Sequence, residues 1–458
     1  MDLMSSVSPA HPDDVIVTFA DSSQDEVAKA VSKSRVAQAQ WWKMGAQARA
    51  DALGRAADAL ATRAAEVTEL GIREVGKPRS EMEGEIARGV AILRYFAQAA
   101  LDPDGTSLPS SSENGLLLAR RRPHGVAAAI TPWNFPIAIP LWKSAPALAY
   151  GNAVICKPAP AATATALLLQ EVIEPFFPPG CFRVVTGNQV AGEALVTLAD
   201  VVSLTGSAGV GGAVVRASAA RGIPVQAEMG GQNASIVFED ADIESTAAVI
   251  AKAAMGFSGQ KCTATSRVVV VGDPRRFTEA LVESIRALER GDPASAATVV
   301  GPVISQAAQR AVIDGARQAG ALGGRVILGG DCFGDEGYFV NPVLVDNVGP
   351  DVSVAQEEIF GPFAVLQYAK DSDEALELAN GVRYGLVSSL FTKDLDRALT
   401  FASRLATGLV RVNAPTSGVD FFAPFGGIKE SSYGPREQGK AAQEFYTWIQ
   451  TLTVATSA

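Results

Sequence analysis

Cys262 ends the run FSGQKC (257–262), where a glycine-containing approach sets a thiol beside the ammonium of Lys261. Only the thiolate is nucleophilic, and a neighbouring cation or helix N-terminus draws a thiol pKa from about 8.5 toward neutrality. The bland alternative for a lone cysteine is a small buried hydrophobe. The adjacent cation, the polar approach and an upstream carboxylate argue against it here. That carboxylate is Glu228, which directly precedes Met229-Gly230-Gly231 and is a candidate base. Asn134, inside TPWNFP (131–136), brings an amide that either caps a turn or stabilises a developing oxyanion. Of the other thiols, Cys156 sits in an apolar strand and is read as inert, while Cys181 and Cys332 are given structural roles. The contexts of His11 and His124 argue against a histidine-based triad.

These groups need elements to carry them. Short β-branched runs, GVAAAIT, NAVICKP, RVVTG and VVSLTG, alternate with helical stretches, the pattern of a parallel sheet with helical crossovers. Ligands of such sheets lie beyond the carboxyl ends of the strands. Lys157, after NAVIC, is there to bond a ribose or phosphate, or is a solvated lysine. After VVSLT comes a glycine-rich helix start (206–212) with Gly206, Ser207 and Gly211. Its free N–H groups could hold a pyrophosphate, although the spacing is not GxGxxG and a structural turn fits equally. Upstream, Leu53, Ala57, Leu60 and Ala64 share one helix face, as do Ile86, Val90, Leu93 and Ala97, and the two helices should form an outer layer. A Pro/Ser-rich break at 103–114 leads into LLLARRRP, which is expected to leave the main body as a hairpin. A second series, SIVF, SRVVVV, RVILGG and PVLVDNV, predicts another α/β unit running to about Asn413.

The bulk composition narrows the classes. A chain of 458 residues with 48% hydrophobic content can bury large cores, with a soft prior of about three domains. A net charge of -10 gives no basic footprint for nucleic acid or an anionic membrane. The four cysteines lack metal-ligand spacing, so no metal and no disulfide framework is expected and a reducing cytosol suits them. No secretory signal is visible in MDLMSSVSPAHPDD, and the apolar stretch 126–149 is interrupted by four prolines and Lys143, so no membrane segment is expected.

Taken in order, TPWNFP, GNAVICKPA, LTGS with Gly211, EMGG, GQKC, EEIFGP and PFGGIK resemble the aldehyde dehydrogenase superfamily over nearly the whole chain. The interval between Glu228 and Cys262 is that of its hydrolytic members. The resemblance implies an α/β fold with a Rossmann-like cofactor domain (1–104 and 124–229), an α/β catalytic domain (230–429) and a small β oligomerisation element (105–123 and 430–458). It also implies shortened first strands in the cofactor lobe and a homodimer or homotetramer. Cys262 becomes the nucleophile, Glu228 the general base that activates water, and Asn134 with the Cys262 backbone N–H the oxyanion hole. For the cofactor it implies Lys157 at the adenosine ribose, Ser207 at the pyrophosphate, Glu358 on the nicotinamide ribose with Phe360 beside it, and Trp133 lining the cleft. NAD-preferring members often carry a glutamate where this chain has Pro160. No carboxylate there repels a 2′-phosphate, so NAD or NADP is expected, with NADP tolerated and a candidate for preference.

For the substrate, GQKCTATSR (259–267) and SSYGPREQGKAAQEFYT (431–447) look like the 2-oxoglutarate semialdehyde branch, whose members oxidise aldehydes bearing a distal carboxylate. Lys261, Thr263 and the Arg436 segment are then candidate contacts, unless Lys261 points away and Arg436 serves a subunit contact. Trp142 stands where some succinate semialdehyde enzymes have arginine. With Ile139 it would line the tunnel apolarly and suit a less polar aldehyde. A catalytically silent binding protein on the same fold is the alternative, which the Cys262, Glu228 and Asn134 set opposes.

Overall fold

Small and β-branched residues alternate through Val126–Thr131, so that Ala127 and Ala129 enter one core and Val126, Ala128 and Ile130 another. This is the period of a strand buried on both faces. The computed structural model describes residues 3–111, 115–334 and 336–455. Residues 112–114 of the expected break and 456–458 of the expected C-terminal element lie outside them.

The first sheet runs, in spatial order, Ser432–Tyr433, Val225–Glu228, Val201–Thr205, Val126–Thr131, Ala153–Pro158 and Phe182–Val184. All pairs are parallel except that of Ser432–Tyr433. Chain order reverses between Val126–Thr131 and Val201–Thr205, and the loops after two such neighbours diverge to leave a crevice. TPWNFP follows the first of these strands and Gly206-Ser207 the second.

The helix Ala138–Ala149 is buried along its whole length against this sheet, and Gly45–Thr62 and Arg79–Ala99 form the expected layer outside it. Ala64 does not continue the first of these helices. It opens a separate one, Ala64–Val75, after a turn at Arg63, whose guanidinium binds Glu66 and Glu171. The helix Gln24–Lys43 was not anticipated. Its buried stripe of Val27, Val31, Ala37 and Trp41 includes Ser34, a polar interruption satisfied by the Gly180 carbonyl. A Ser23–Glu26 capping box starts it.

Only residues 229–232 carry the chain from Glu228 into the second sheet, which begins at Asn233–Val237. Its order is Arg325–Leu328, Val343–Asp346, Phe363–Ala369, Thr265–Val271, Asn233–Val237, Val387–Phe391 and Leu409–Val412, parallel except for the first pair. Glu228 therefore ends a strand of one sheet, and Cys262 lies just before a strand of the other. The seam between the sheets brings them together.

LLLARRRP forms Leu116–Pro123, the middle strand of an antiparallel three-stranded sheet with Gly105–Leu108 and Thr447–Val454. The first strands, Leu3–Val7 and Val15–Ala20, make a hairpin separate from the six-stranded sheet.

Candidate active site

A buried ion pair sets the loop that carries Asn134. Lys77 and Glu85 are withdrawn from solvent and meet at 2.5 Å. The other Glu85 oxygen accepts the N–H groups of Ile137 and Ala138, both at 2.8 Å, at the start of the helix Ala138–Ala149. Lys77 also donates to the Asn134 carbonyl (2.9 Å) and lies 3.5 Å from the centre of the Phe135 ring. An isolated charge here would be intolerable, and the pair with its bonds makes each acceptable. Asn134 is thus fixed through its main chain, and its side-chain amide donates to the Gln260 carbonyl at 2.9 Å. An amide nitrogen has a second N–H, which this bond leaves for another acceptor.

Gln260 belongs to the turn that delivers the thiol. Phe257, Ser258 and Gly259 take left-handed φ values of 54°, 53° and 66°. Such a run is costly for side-chain-bearing residues, and surrounding bonds hold it. Ser258 donates to Gly301, Gln260 Nε2 to Phe257 and Pro302, and Gln260 Oε1 accepts from Ile304. A Cβ on Gly259 would come within 2.1 Å of the Gly361 carbonyl, so only glycine fits. Beyond the turn, Asn233 ties down the loop by donating to the carbonyls of Cys262 (2.8 Å) and Ala264 (2.7 Å). The glycines of EMGG allow close approach: a Cβ would meet Glu358 at Gly230 and the Cys262 carbonyl at Gly231.

The electrostatics differ from the sequence expectation. Lys261 does not assist the thiol, because its ammonium is paired with Glu81 at 2.6 Å. Removal from bulk water, followed by the charges of Glu358, Glu228 and Glu437, pushes the Cys262 thiol up to about 12. The opposing influence is the bond from its own backbone N–H. Glu228 is also raised well above the carboxylate range, by burial first and by Glu437 second. It accepts from Ser432 Oγ at 2.5 Å, and its other oxygen has no partner. Glu437 in turn pairs with the buried Lys143, which also donates to Ser203. Glu358, accepting from the Gly231 N–H, is raised to about 7 by burial.

A cleft of about 1030 Å³ occupies the crevice at the strand ends. The structure gathers Trp133, Asn134, Ile139, Lys157, Pro160, Gly206, Ser207, Glu358, Phe360 and Cys262 on its walls. Ser207 caps the helix Ala208–Arg221, and Gly211 is buried in its first turn under Met229. Trp133 and Phe360 meet edge to face, with centroids 5.8 Å apart. Lys157 is neither solvated nor free, for its ammonium donates to the carbonyls of Pro158 and Gly187 and burial lowers it to about 8. Sequence reading missed Glu193, a carboxylate on this wall that accepts from Gln189.

On its other side Cys262 borders a second cavity of about 370 Å³, walled in part by Trp142, Lys261, Thr263, Phe135 and Phe425. Ile139 lies in the larger cleft instead. Glu228 lines neither space. Cys156, as read, is buried and raised to about 11. Among the described residues no helix is long and apolar enough to cross a membrane, and no cluster of three His, Cys, Asp or Glu could hold a metal.

Residues 2–452 match the model of the aldehyde dehydrogenase family. The chain belongs to that family. It is 39% identical over 465 residues to an alpha-ketoglutaric semialdehyde dehydrogenase of Bacillus subtilis (strain 168), covering 99% of this chain and 95% of that one. An alpha-ketoglutarate semialdehyde dehydrogenase of Haloferax volcanii is 38% identical over 97% of this chain and 94% of its own length. The crystal structure of an NAD-dependent aldehyde dehydrogenase from Sinorhizobium meliloti superposes with a TM-score of 0.95 at 33% identity, covering 99% and 91% of the two chains. This aldehyde dehydrogenase is an oxidoreductase acting on small aldehydes with NAD or NADP, and the silent alternative is not favoured. The motif-based resemblance, the α/β fold and the semialdehyde branch all hold.

Breaking the Lys77–Glu85 pair from either side strands a buried charge. Lys77→Met and Glu85→Gln are expected to cost about 3–5 kcal/mol of stability, measured by denaturant unfolding, and to lower kcat through displacement of Asn134. A loss below about 1 kcal/mol, the range of an exposed pair, would refute the role given to this contact.

Proposed function

We propose that this aldehyde dehydrogenase oxidises the semialdehyde of a carboxylic acid, of the class 2,5-dioxopentanoate represents, to the acid through a thioester on Cys262. The observation that carries the reading is that the Cys262 thiol stands between two cavities. A dinucleotide and an aldehyde can reach it from opposite sides. The names of the semialdehyde relatives support the substrate class.

The larger cleft suits a dinucleotide. The N-terminus of Ala208–Arg221 presents free N–H groups for a pyrophosphate. Val210, 52% exposed though apolar, offers a wall for a flat base, and Glu358 offers a carboxylate for ribose hydroxyls. When bound, the dinucleotide supplies the hydride acceptor. The chain's own groups do the rest. Sγ of Cys262, once ionised, adds to the aldehyde carbon, and the oxyanion so formed is held by the Asn134 amide and the Cys262 backbone N–H. Loss of hydride leaves a thioester. Glu228 then takes a proton from the attacking water, and the C–S bond breaks to release acid and thiol. Glu228 must leave Ser432 and turn toward Cys262 to do so. We assign the dinucleotide to the unit 1–104 and 124–229, the thiol to 230–429, and subunit pairing to 105–123 and 430–458.

Glu228→Gln is expected to retain a burst of about one reduced cofactor per site while steady turnover slows roughly a hundredfold or more. Because burial holds the Glu228 carboxyl protonated above the ordinary range, its base form gains as pH rises. Wild-type steady turnover should climb from neutral into alkaline pH, and that of the variant should not. Loss of the burst as well would show Glu228 activating the thiol instead.

The cleft should take NADP as well as NAD, since Pro160 offers no carboxylate against a 2′-phosphate. We take Glu193, next to Gly192 and so near Lys157 on this wall, as the carboxylate that would oppose a 2′-phosphate. Glu193→Gln is therefore expected to raise kcat/KM for NADP relative to NAD about fivefold, the effect of about 1 kcal/mol between solvated like charges. NADP failing to support turnover in either protein would end this reading.

Thr447–Val454 is a sheet edge with Trp448 and Ile449 exposed at 45% and 59%. An apolar unpaired edge invites a partner strand. Light scattering should give two or four times the 47.6 kDa chain mass, and Ile449→Lys should shift the population toward monomer. A monomeric wild type would overturn the assignment.

A further inference from the structure

The smaller cavity beside Cys262 contains more polarity than an apolar aldehyde could use. Trp142 forms part of its wall and is 8% exposed, yet its indole N–H has no hydrogen-bond partner. Gln438, 2% exposed on the same wall, has a side-chain oxygen equally without one. Buried polar groups are almost always satisfied, so the Trp142 N–H asks for an acceptor, as a substrate oxygen is, whereas the Gln438 oxygen asks for a donor such as water.

Charge points the same way. Five charged side chains line this space: Glu81, Glu85, Arg88, Lys252 and Lys261. Glu85 is consumed by Lys77 and two backbone amides, and Glu81 by Lys261. Arg88 and Lys252 form no ion pair among the described residues. Arg88 spends one donor on the Val419 carbonyl at 2.6 Å, and a guanidinium has five. Lys252 is exposed on its helix, whereas Arg88 is half-buried. A carboxylate is the group that a half-buried, unpaired guanidinium binds best.

We propose that Arg88 takes the distal carboxylate of the substrate, and that the Trp142 indole N–H donates to the oxygen of a 2-oxo group beside it, with Phe135 and Phe425 packing along the intervening methylenes. The inference rests on the semialdehyde reading above and names the residues that would enforce it. Trp142 is then a polar reader as well as an aromatic wall.

Three aldehydes of one chain length separate the parts of this claim: pentanal, 5-oxopentanoate and 2,5-dioxopentanoate, assayed with saturating NAD. Wild type is expected to favour 5-oxopentanoate over pentanal in kcat/KM. Arg88→Ala should cut that ratio at least about tenfold, as expected on losing a charge-assisted hydrogen bond. The loss should fall on KM rather than kcat, and Arg88→Lys should recover part of it. Trp142→Phe should reduce the preference for 2,5-dioxopentanoate over 5-oxopentanoate about threefold to tenfold. If Arg88→Ala fails to fold, Arg88→Gln, which retains an N–H for Val419, reads the same ratio. A wild type indifferent to the carboxylate overturns the semialdehyde reading and this one together. A wild-type preference that survives loss of the guanidinium, or a parallel loss on all three aldehydes, leaves the semialdehyde reading standing and overturns the assignment to Arg88.

Discussion

The Lys77–Glu85 pair is the contact on which the site's geometry depends. It joins the outer helix Arg79–Ala99 to the turn before Ala138–Ala149 and to the Asn134 main chain. Those two amides belong to the first turn of a helix, where N–H groups lack helical partners and favour a negative charge. An apolar side chain in place of Glu85 would leave the Ile137 and Ala138 amides without an acceptor and Lys77 without its counter-charge. Asn134 then reaches Gln260, and Gln260 reaches the turn before Cys262. Two sheets with separate cores are thereby held in register at one seam, a precision that hydrophobic packing alone does not impose.

Within that seam the negative groups crowd one another. Burial and the neighbouring carboxylates raise both the Cys262 thiol and Glu228, and Lys143, the buried cation nearby, is spent on Glu437. Both shifts favour the protonated forms of the thiol and of Glu228 in the resting site. A neutral thiol is poorly reactive toward stray electrophiles, and activation waits on whatever reduces the negative field or adds positive charge. Lys261 cannot be that charge, since Glu81 already holds it.

Much of this was legible in the sequence because it lay in local patterns. The parallel strands showed in their β-branched runs, the helix start at Ser207 in its glycines, and the thiol in its polar approach. What stayed hidden depends on tertiary partners. Lys77, Glu85 and Asn233 lie in unremarkable local sequence and act through residues far away in the chain. Lys261 misled for the same reason: adjacency in sequence placed it by the thiol, whereas the fold turned it to a carboxylate on the outer helix Arg79–Ala99. The helix Gln24–Lys43 was obscured because Ser34 interrupts its apolar stripe and weakens the period.

The same distinction bears on specificity. Groups that must approach the reacting atoms closely are constrained by backbone, as the glycines at 230, 231 and 259 show, and such constraints leave a mark in sequence. Groups that choose among aldehydes need only line a cavity, and any of several elements can supply them. The two proposed readers come from different layers, Arg88 from an outer helix and Trp142 from an inner one. A carboxylate-binding cation therefore need not stand at position 142. Trp142 at that position is compatible with an anionic substrate as long as the charge is met from across the cavity.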